Sequence, residues 1–475
     1  MITMHNLMRV ILLVFLLEPV LSSAKPAGEL NEEGLDALAY SYALQAYLYT
    51  YPLFITDREV RRREQLEGPV KNAPIAPINR LGHLQALADA DSNMPYSPNN
   101  DTLYTGIALD LTDGPIILHM PEIKDRFAVV QVTNAYVENQ PYRYSPRVND
   151  GDAASLAFTP PGWDGQLPEG VEQVPMDTNY AFMAVRIAID GEHELDVVRG
   201  YQQQMSLTSL ADWGKEDPAQ PAIPAPREQK TYDGPFAHMK KAADLLAQNP
   251  PPARHQAINA SLWRVGLRPG EAFDPDTLDD VTRRAVLRAI EDGPKVIDYL
   301  SRNRGKTFPN GWDAGRYADD IVFDYAARAA MALVGLMGND PEEAIYLYTY
   351  FDSEGQLLDA SKRYRMHFEP GQTPAIQELG FWSVTMYDGK TYRFVHNEID
   401  RFSVGSRSGL KYNDDGSLDI YIQPEAPDAE HVSNWLPSAE SGSFRVTFRI
   451  YGPAQETVDA LYSISLAIPP LELQD

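Results

Sequence analysis

The chain has 475 residues, 44% of them hydrophobic, with a formal net charge of -26 and no cysteine. That length exceeds what one hydrophobic core organises, so two or more domains are expected, and a mean hydropathy of -0.36 excludes a polytopic membrane protein. The charge argues against nucleic acid and anionic lipid as partners, and the lack of Cys excludes thiol nucleophiles, thiolate metal sites and iron–sulfur clusters.

Residues 1–24 read as a secretory leader. Arg9 precedes an apolar run over 10–17, Glu18-Pro19 interrupts the run, and Ser22-Ser23-Ala24 supplies the small residues of a cleavage site. The run is short for a membrane span, and no Cys follows it to carry a lipid. A periplasmic or secreted protein is expected, with no membrane association after cleavage. Cleavage removes one cation, Arg9, and one anion, Glu18, so the charge stays at -26.

Residues 25–90 form an N-terminal helical segment. Asn31-Glu32-Glu33 reads as a helix start, Leu35, Leu38, Tyr42, Ala46 and Tyr49 recur at helical spacing, and Pro52 is expected to end or kink the helix. The segment 91–193 reads as a β module, with strands expected at 107–111, 116–120, 127–133, 142–144 and 180–189. Helical periodicity returns over 194–340, in segments at 194–213, 236–248, 278–303 and 319–337, the last expected between two β modules. Residues 341–475 read as a second β module. It begins with a hairpin over 341–368 that turns at Asp352-Ser353-Glu354-Gly355, and Asn413-Asp414-Asp415-Gly416-Ser417 reads as another tight hairpin. Phe381-Trp382-Ser383-Val384-Thr385-Met386-Tyr387-Asp388 and Phe444-Arg445-Val446-Thr447-Phe448-Arg449-Ile450-Tyr451 are among its segments that alternate apolar and polar residues. The expected fold class is α+β: two antiparallel β-sandwich or jelly-roll-like modules joined by a helical segment.

The common catalytic motifs are absent. Gly405-Ser406-Arg407-Ser408-Gly409 places Arg where a nucleophile elbow has Ser, and the eight His beyond residue 24 include no pair within four residues. No metal or cofactor is implied. Two candidates for acid/base work remain. Asp101 is a candidate general base or hydroxyl anchor, or it fixes its own loop through bonds to backbone N–H groups. His367, set among aromatics on a strand, is a candidate acid/base, or a satisfied edge histidine.

Around these stand candidate binding residues. Asn99 and Tyr104 flank Asp101. Arg126 is a carboxylate clamp or a strand-edge ion pair, and Tyr136 and Asn139 follow a strand in a loop where binding groups sit. Trp382, Tyr387 and Trp435 either stack on a ligand or fill a core, Asn434 offers oriented amide bonds, and Arg401 is an anion anchor or a partner for a nearby Asp.

Both β modules carry a family resemblance. Residues 94–104, Asp125-Arg126-Phe127 with Gln131, and Thr178-Asn179-Tyr180 resemble the DUF1254 family. Residues 343–451 resemble the DUF1214 family, most strongly at Phe381-Trp382-Ser383-Val384-Thr385-Met386-Tyr387-Asp388 and Ser433-Asn434-Trp435-Leu436-Pro437. The resemblance implies two sandwich-like modules linked by helices, the second similar to the jelly rolls of peptide N-glycosidases. By fold analogy it implies a glycan or amide hydrolase. The chain departs from the family pattern at Tyr136, where an acid is usual, and after Gly452, where a Trp-Pro pattern is usual.

The sequence thus leads to an exported hydrolase acting on a glycan or small molecule in a groove between the modules. The alternatives are a non-catalytic binder of a glycan or hydrophobic ligand and an envelope assembly factor. A homo-oligomer is left open.

Overall fold

The computed structural model describes residues 27–92, 97–303, 305–315 and 322–474, and the side chains of 27–30 and 306 are outside that description. The expected leader, the loop residues Met94, Pro95 and Tyr96, and the start of the helix expected at 319 lie outside the described residues.

Helix α1 (Ala27–Glu64) runs unbroken through Pro52, contrary to the expectation that Pro52 ends or kinks it. An interior proline costs about 3 kcal/mol. Here helices packed along α1 outweigh it, and Leu53, next to the proline, is buried in their shared core. Arg61, Arg62 and Arg63 occupy the last turn, where cations complement the helix dipole.

The first module is a sandwich of two four-stranded sheets. Its strands are β1 (Leu81–His83), β2 (Thr102–Asp110), β3 (Ile116–Met120), β4 (Ala128–Asn134), β5 (Ala154–Thr159), β6 (Glu172–Pro175), β7 (Tyr180–Ala188) and β8 (Ser206–Ser209). The inner sheet has the order β1-β2-β7-β4 and the outer sheet β6-β5-β3-β8. Alternation explains the core: Leu103, Ile107, Met183, Val185 and Val130 of the inner sheet meet Leu118, Leu156 and Phe158 of the outer. Residues 142–144 form no strand, whereas β5, unexpected from the sequence, does. A short helix α2 (Pro146–Asn149) precedes β5, and α3 (Leu195–Gln204) leads into β8, so the expected helix over 194–213 ends early and the outer sheet takes in strand residues beyond 193.

A helical layer follows: α4 (Ala237–Gln248), α5 (Asn259–Arg264), α6 (Asp280–Arg302) and α7 (Tyr325–Val334). These pack with α1 and cover the second face of the inner sheet at Ala108, Tyr180 and Phe182. Helix α7 lies in this layer against α1 and α6, not between the β modules as expected. No helix among the described residues is long and apolar enough to cross a membrane.

The second module pairs a six-stranded sheet with a four-stranded one. Its strands are β9 (Lys306–Thr307), β10 (Asp313–Ala314), β11 (Ala344–Thr349), β12 (Tyr364–Phe368), β13 (Ile376–Asp388), β14 (Ser403–Gly405), β15 (Leu418–Gln423), β16 (Trp435–Pro437), β17 (Phe444–Pro453) and β18 (Glu472–Leu473), with helix α8 (Gln455–Tyr462) between the last two. The orders are β14-β13-β17-β11-β10-β9 and β16-β15-β12-β18.

The hairpin expected over 341–368 does not form. The Asp352–Gly355 turn exists, but β11 pairs with β17 while β12 pairs with β15 in the opposite sheet. The turn at Asn413 also closes, with Gly416 N–H on the Asn413 carbonyl at 2.9 Å, yet it joins no hairpin: β15 pairs with β12 and, in parallel, with β16.

The modules meet face to face. Phe127, Val129 and Ala188 from the first pack on Ala344, Phe381 and Tyr451 from the second. Because Trp382, Val384, Val446, Phe448 and Ile450 fill the second module's own core, the intervening residues Ser383, Thr385, Tyr387, Thr447, Arg449 and Tyr451 point the other way, toward the first module. This polar sheet face, buried against a neighbour, positions the site.

Candidate functional site

A cleft of about 700 Å³ opens between the modules. Asn100, Asp101, Asp190 and His193 line it from the first module and Ser383, Ser403 and Arg407 from the second. The loop before β2 is fixed by Asn99, whose Oδ1 accepts the backbone N–H of Asp101 at 2.6 Å and of Thr102 at 3.3 Å. That turn frees the Asp101 side chain to cross the junction, where Ser383 Oγ donates to one carboxylate oxygen at 2.7 Å and Ser403 Oγ to the other at 3.3 Å. Arg407 Nη2 donates to the carbonyls of Asp101 (3.2 Å) and Ile189 (3.0 Å), with its guanidinium 3.8 Å from the centre of the Phe381 ring.

Asp190 lies just past the end of β7, and its N–H donates to Glu194 at 2.7 Å. Burial raises the Asp190 pKa from its ordinary value; Arg407 and His193 oppose this, while Glu194 and Asp101 add to it. Burial has the same first effect on Glu194, but there the Asp190 N–H and Arg126 outweigh it and the pKa falls. One cleft therefore holds two acids, Asp101 fastened by hydroxyls and Asp190 biased toward its neutral form.

Deeper in the junction, Asn99 Nδ2 donates to the hydroxyls of Tyr451 (2.6 Å) and Tyr104 (3.1 Å). Arg449 donates to Thr385 Oγ1 (2.7 Å) and to Tyr387 OH (2.6 Å), and Tyr387 OH donates to the Pro98 carbonyl (2.6 Å). Tyr104 and Arg186 are register partners across β2 and β7, with the guanidinium 5.2 Å from the ring centre. Burial disfavours a Tyr104 phenolate, but Arg186 beside it and Arg449 beyond outweigh burial and lower its pKa.

Of the residues expected from the sequence, Asn99, Asp101, Tyr104 and Tyr387 converge at this junction. His367 does not. It faces outward on β12, on the far side of the second module's core, with Nδ1 2.7 Å from Asp419 Oδ1. Trp382 contributes its backbone alone, because its ring stacks on Phe448 and Phe368 in the core. Trp435 is buried with Nε1 on the Gln423 carbonyl, and Asn434 ties Lys411 to Asp419 through backbone bonds. Arg401 borders the cleft, but its Nη1 donates to the carbonyls of Val432 and Trp435.

Arg126 forms ion pairs with Asp125 and Glu194 and acts on Asp190 only through the latter. Asn139 bonds Gln131, Gly338 and Asp340, and so supports the Gln131 that accepts from Arg186. Tyr136 sits in the helical layer, its OH on the Asn249 carbonyl, packed against Tyr49 and His255. Close by, Glu138 is held by His255 (2.6 Å), Arg254 (2.5 Å) and Arg328. Burial raises the Glu138 pKa, but His255 and Arg328 outweigh burial and bring it to about 2.

The sequence reading missed Asp190, Ser383, Ser403, Arg407, Arg186, Arg449 and Tyr451. Most are the polar members of alternating strands, and the signal for them was that alternation itself. Among the described residues, no group of three or more His, Asp or Glu is placed to hold a metal ion.

The family described as "Protein of unknown function (DUF1254)" matches residues 78–209, and that described as "Protein of unknown function (DUF1214)" matches 343–455. The chain belongs to the DUF1254/DUF1214 two-module family. Those segments carry β1 to β8 and β11 to β17, and the cleft of this DUF1254/DUF1214 protein lies where they meet. The crystal structure of the VPA0106 protein from Vibrio parahaemolyticus is similar over 92% of this chain and 100% of that one, at 22% identity and a TM-score of 0.70, a likeness of fold. An uncharacterized protein from Burkholderia cenocepacia aligns over 94% of this chain and 96% of its own, at 12% identity and a TM-score of 0.43. No curated protein matches the chain.

Proposed function

We propose that this is an exported hydrolase that acts on a glycan or other small polar molecule in the cleft between its β modules. The observation that carries the reading is the Asp101/Asp190 pair. Hydrolysis by acid/base catalysis needs one acid that donates a proton to the leaving group and one carboxylate that activates water or stabilises developing positive charge. Asp190, whose pKa is raised by burial and by Glu194 and Asp101, is the candidate for the first role. Asp101, oriented by Ser383 and Ser403, suits the second. Arg407, between them, offers a donor for developing negative charge. The cleft volume falls within the ~300–1,000 Å³ of small-molecule sites. Export rests on the leader-like residues 1–24.

A second reading, binding without turnover, is favoured by one observation: both Asp101 oxygens are already engaged by serines, as in a structural latch. One experiment separates the two. Incubate the mature protein with an extract of its host's metabolites and glycans. Depletion of a compound by wild type but not by Asp190→Asn supports hydrolysis, and retention without change supports binding. Depletion unaffected by both Asp190→Asn and Asp101→Asn overturns the site.

A further inference from the structure

Behind the cleft floor, the two facing sheets bury more positive than negative charge. Arg186 and Arg449 are 3% and 5% exposed, and neither forms an ion pair among the described residues. Arg186 donates through Nη1 to Gln131 Oε1 (2.6 Å) and Asn339 Oδ1 (3.2 Å) and through Nη2 to the Met337 carbonyl (2.8 Å), all neutral. Its buried Nε has no acceptor. Arg449 also donates only to neutral oxygens, those of Thr385 and Tyr387. The carboxylate that bears on Arg449 is Asp101, whose oxygens are committed to two serines. Thr447, in register with Thr385 and Tyr348 on the same sheet face, has a buried Oγ1 with no partner.

Two buried cations that face a single carboxylate leave one positive charge uncompensated, and that costs more than neutral hydrogen bonds return. Tyr104 and Tyr346, beside the two guanidiniums, are each only partly buried, although neither lines the outer cleft. Tyr346 is the register partner of Arg449, as Tyr104 is of Arg186.

We propose that the junction opens between these rings to bind a small organic oxyanion, a carboxylate or a phosphate, between Arg186 and Arg449, with Tyr104, Tyr346 and Thr447 completing the shell. A planar guanidinium presents forked donors that suit either group. The site stands whether or not the neighbouring cleft is hydrolytic.

The test is isothermal titration of the full mature chain with benzoate, inorganic phosphate and neutral benzamide. Benzoate or phosphate is expected to bind saturably, which one telling carboxylate from phosphate, and benzamide is not. Arg186→Gln and Arg449→Gln are each expected to weaken binding at least about tenfold, the scale of one charge-assisted hydrogen bond. Should either variant fail to fold, Tyr346→Phe and Thr447→Val provide the same comparison, with a loss of several-fold expected. The proposal is overturned if neither oxyanion binds, or if the variants bind as wild type does. It is also overturned if the ligand-free protein shows a tyrosinate absorbance at neutral pH that Tyr104→Phe abolishes, because a phenolate would then supply the missing charge. Oxyanion binding with no compound turned over in the extract would leave this site standing and remove the hydrolytic reading alone.

Discussion

Asp101 and Ser383 stand 282 residues apart in the chain and are joined by a 2.7 Å hydrogen bond. One comes from the loop entering the first module's inner sheet, the other from β13, next to the edge strand of the second module's six-stranded sheet. The bond fixes how the modules face each other and aims a carboxylate at the cleft. Local order and site geometry therefore share one contact.

Ser383→Ala is expected to destabilise the protein by about 1.5–3 kcal/mol, the range for a hydrogen bond to a charged group. Ser403→Ala, whose bond is longer at 3.3 Å, is expected to cost less, about 1 kcal/mol. Urea unfolding gives both values, and equal or negligible losses would contradict the latch.

Glu138→Gln is expected to cost about 3–5 kcal/mol, because it leaves the fully buried Arg328 without its carboxylate. The same unfolding assay measures it. A near-neutral result would mean that the His255 and tyrosine contacts suffice without the charge.

The pH dependence of stability has a defined sign. His238 is stacked between Tyr47 and Phe54, each ring centre 4.2 Å away, and burial, with Lys241 adding to it, lowers its pKa from 6.5 to about 4. Between those values the unfolded chain takes up the proton first, so stability is complete above 6.5 and falls as pH drops toward about 4. Glu138, whose pKa falls from 4.5 to about 2, extends the decline below 4.5. Urea midpoints measured against pH should show both phases, and His238→Phe should remove the upper one, of order 3 kcal/mol.

Gly293→Ala tests the seat of α6 on α1. A Cβ there would lie 2.2 Å from Tyr47 Cδ1, and the Tyr47 ring is pinned by its stack on His238. The expected loss is about 1–3 kcal/mol, even though alanine is the better helix former. A gain in melting temperature would show that the ring moves.

The alternation over 444–451 was legible as a strand, and its apolar members, Val446, Phe448 and Ile450, do form a sandwich core. Its polar members were not legible as a site. A polar residue opposite a core reads as solvent-facing, and nothing in the pattern says that a second module covers it. The same ambiguity moved Trp382 and Trp435 the other way, from expected ligand platforms into cores. Asn99, Asp101 and Tyr104 were legible because turn chemistry and strand onset are local. Asp190 was not, because its pKa is set first by burial in the assembled junction and then by charges that include Arg407 and Asp101, both remote in sequence. The β11/β12 hairpin failed for a related reason: its turn is local, but each strand's better partner is distant.

The central claim is that ligands of this protein bind where its two β modules meet. Hydrogen exchange, with and without the compound drawn from the host extract, tests it most directly. The account predicts new protection over 87–91, 189–193 and 399–408, with the rest of the chain unchanged. Protection confined to the shallow groove around Trp263 and Arg268, or none in the junction, would contradict it.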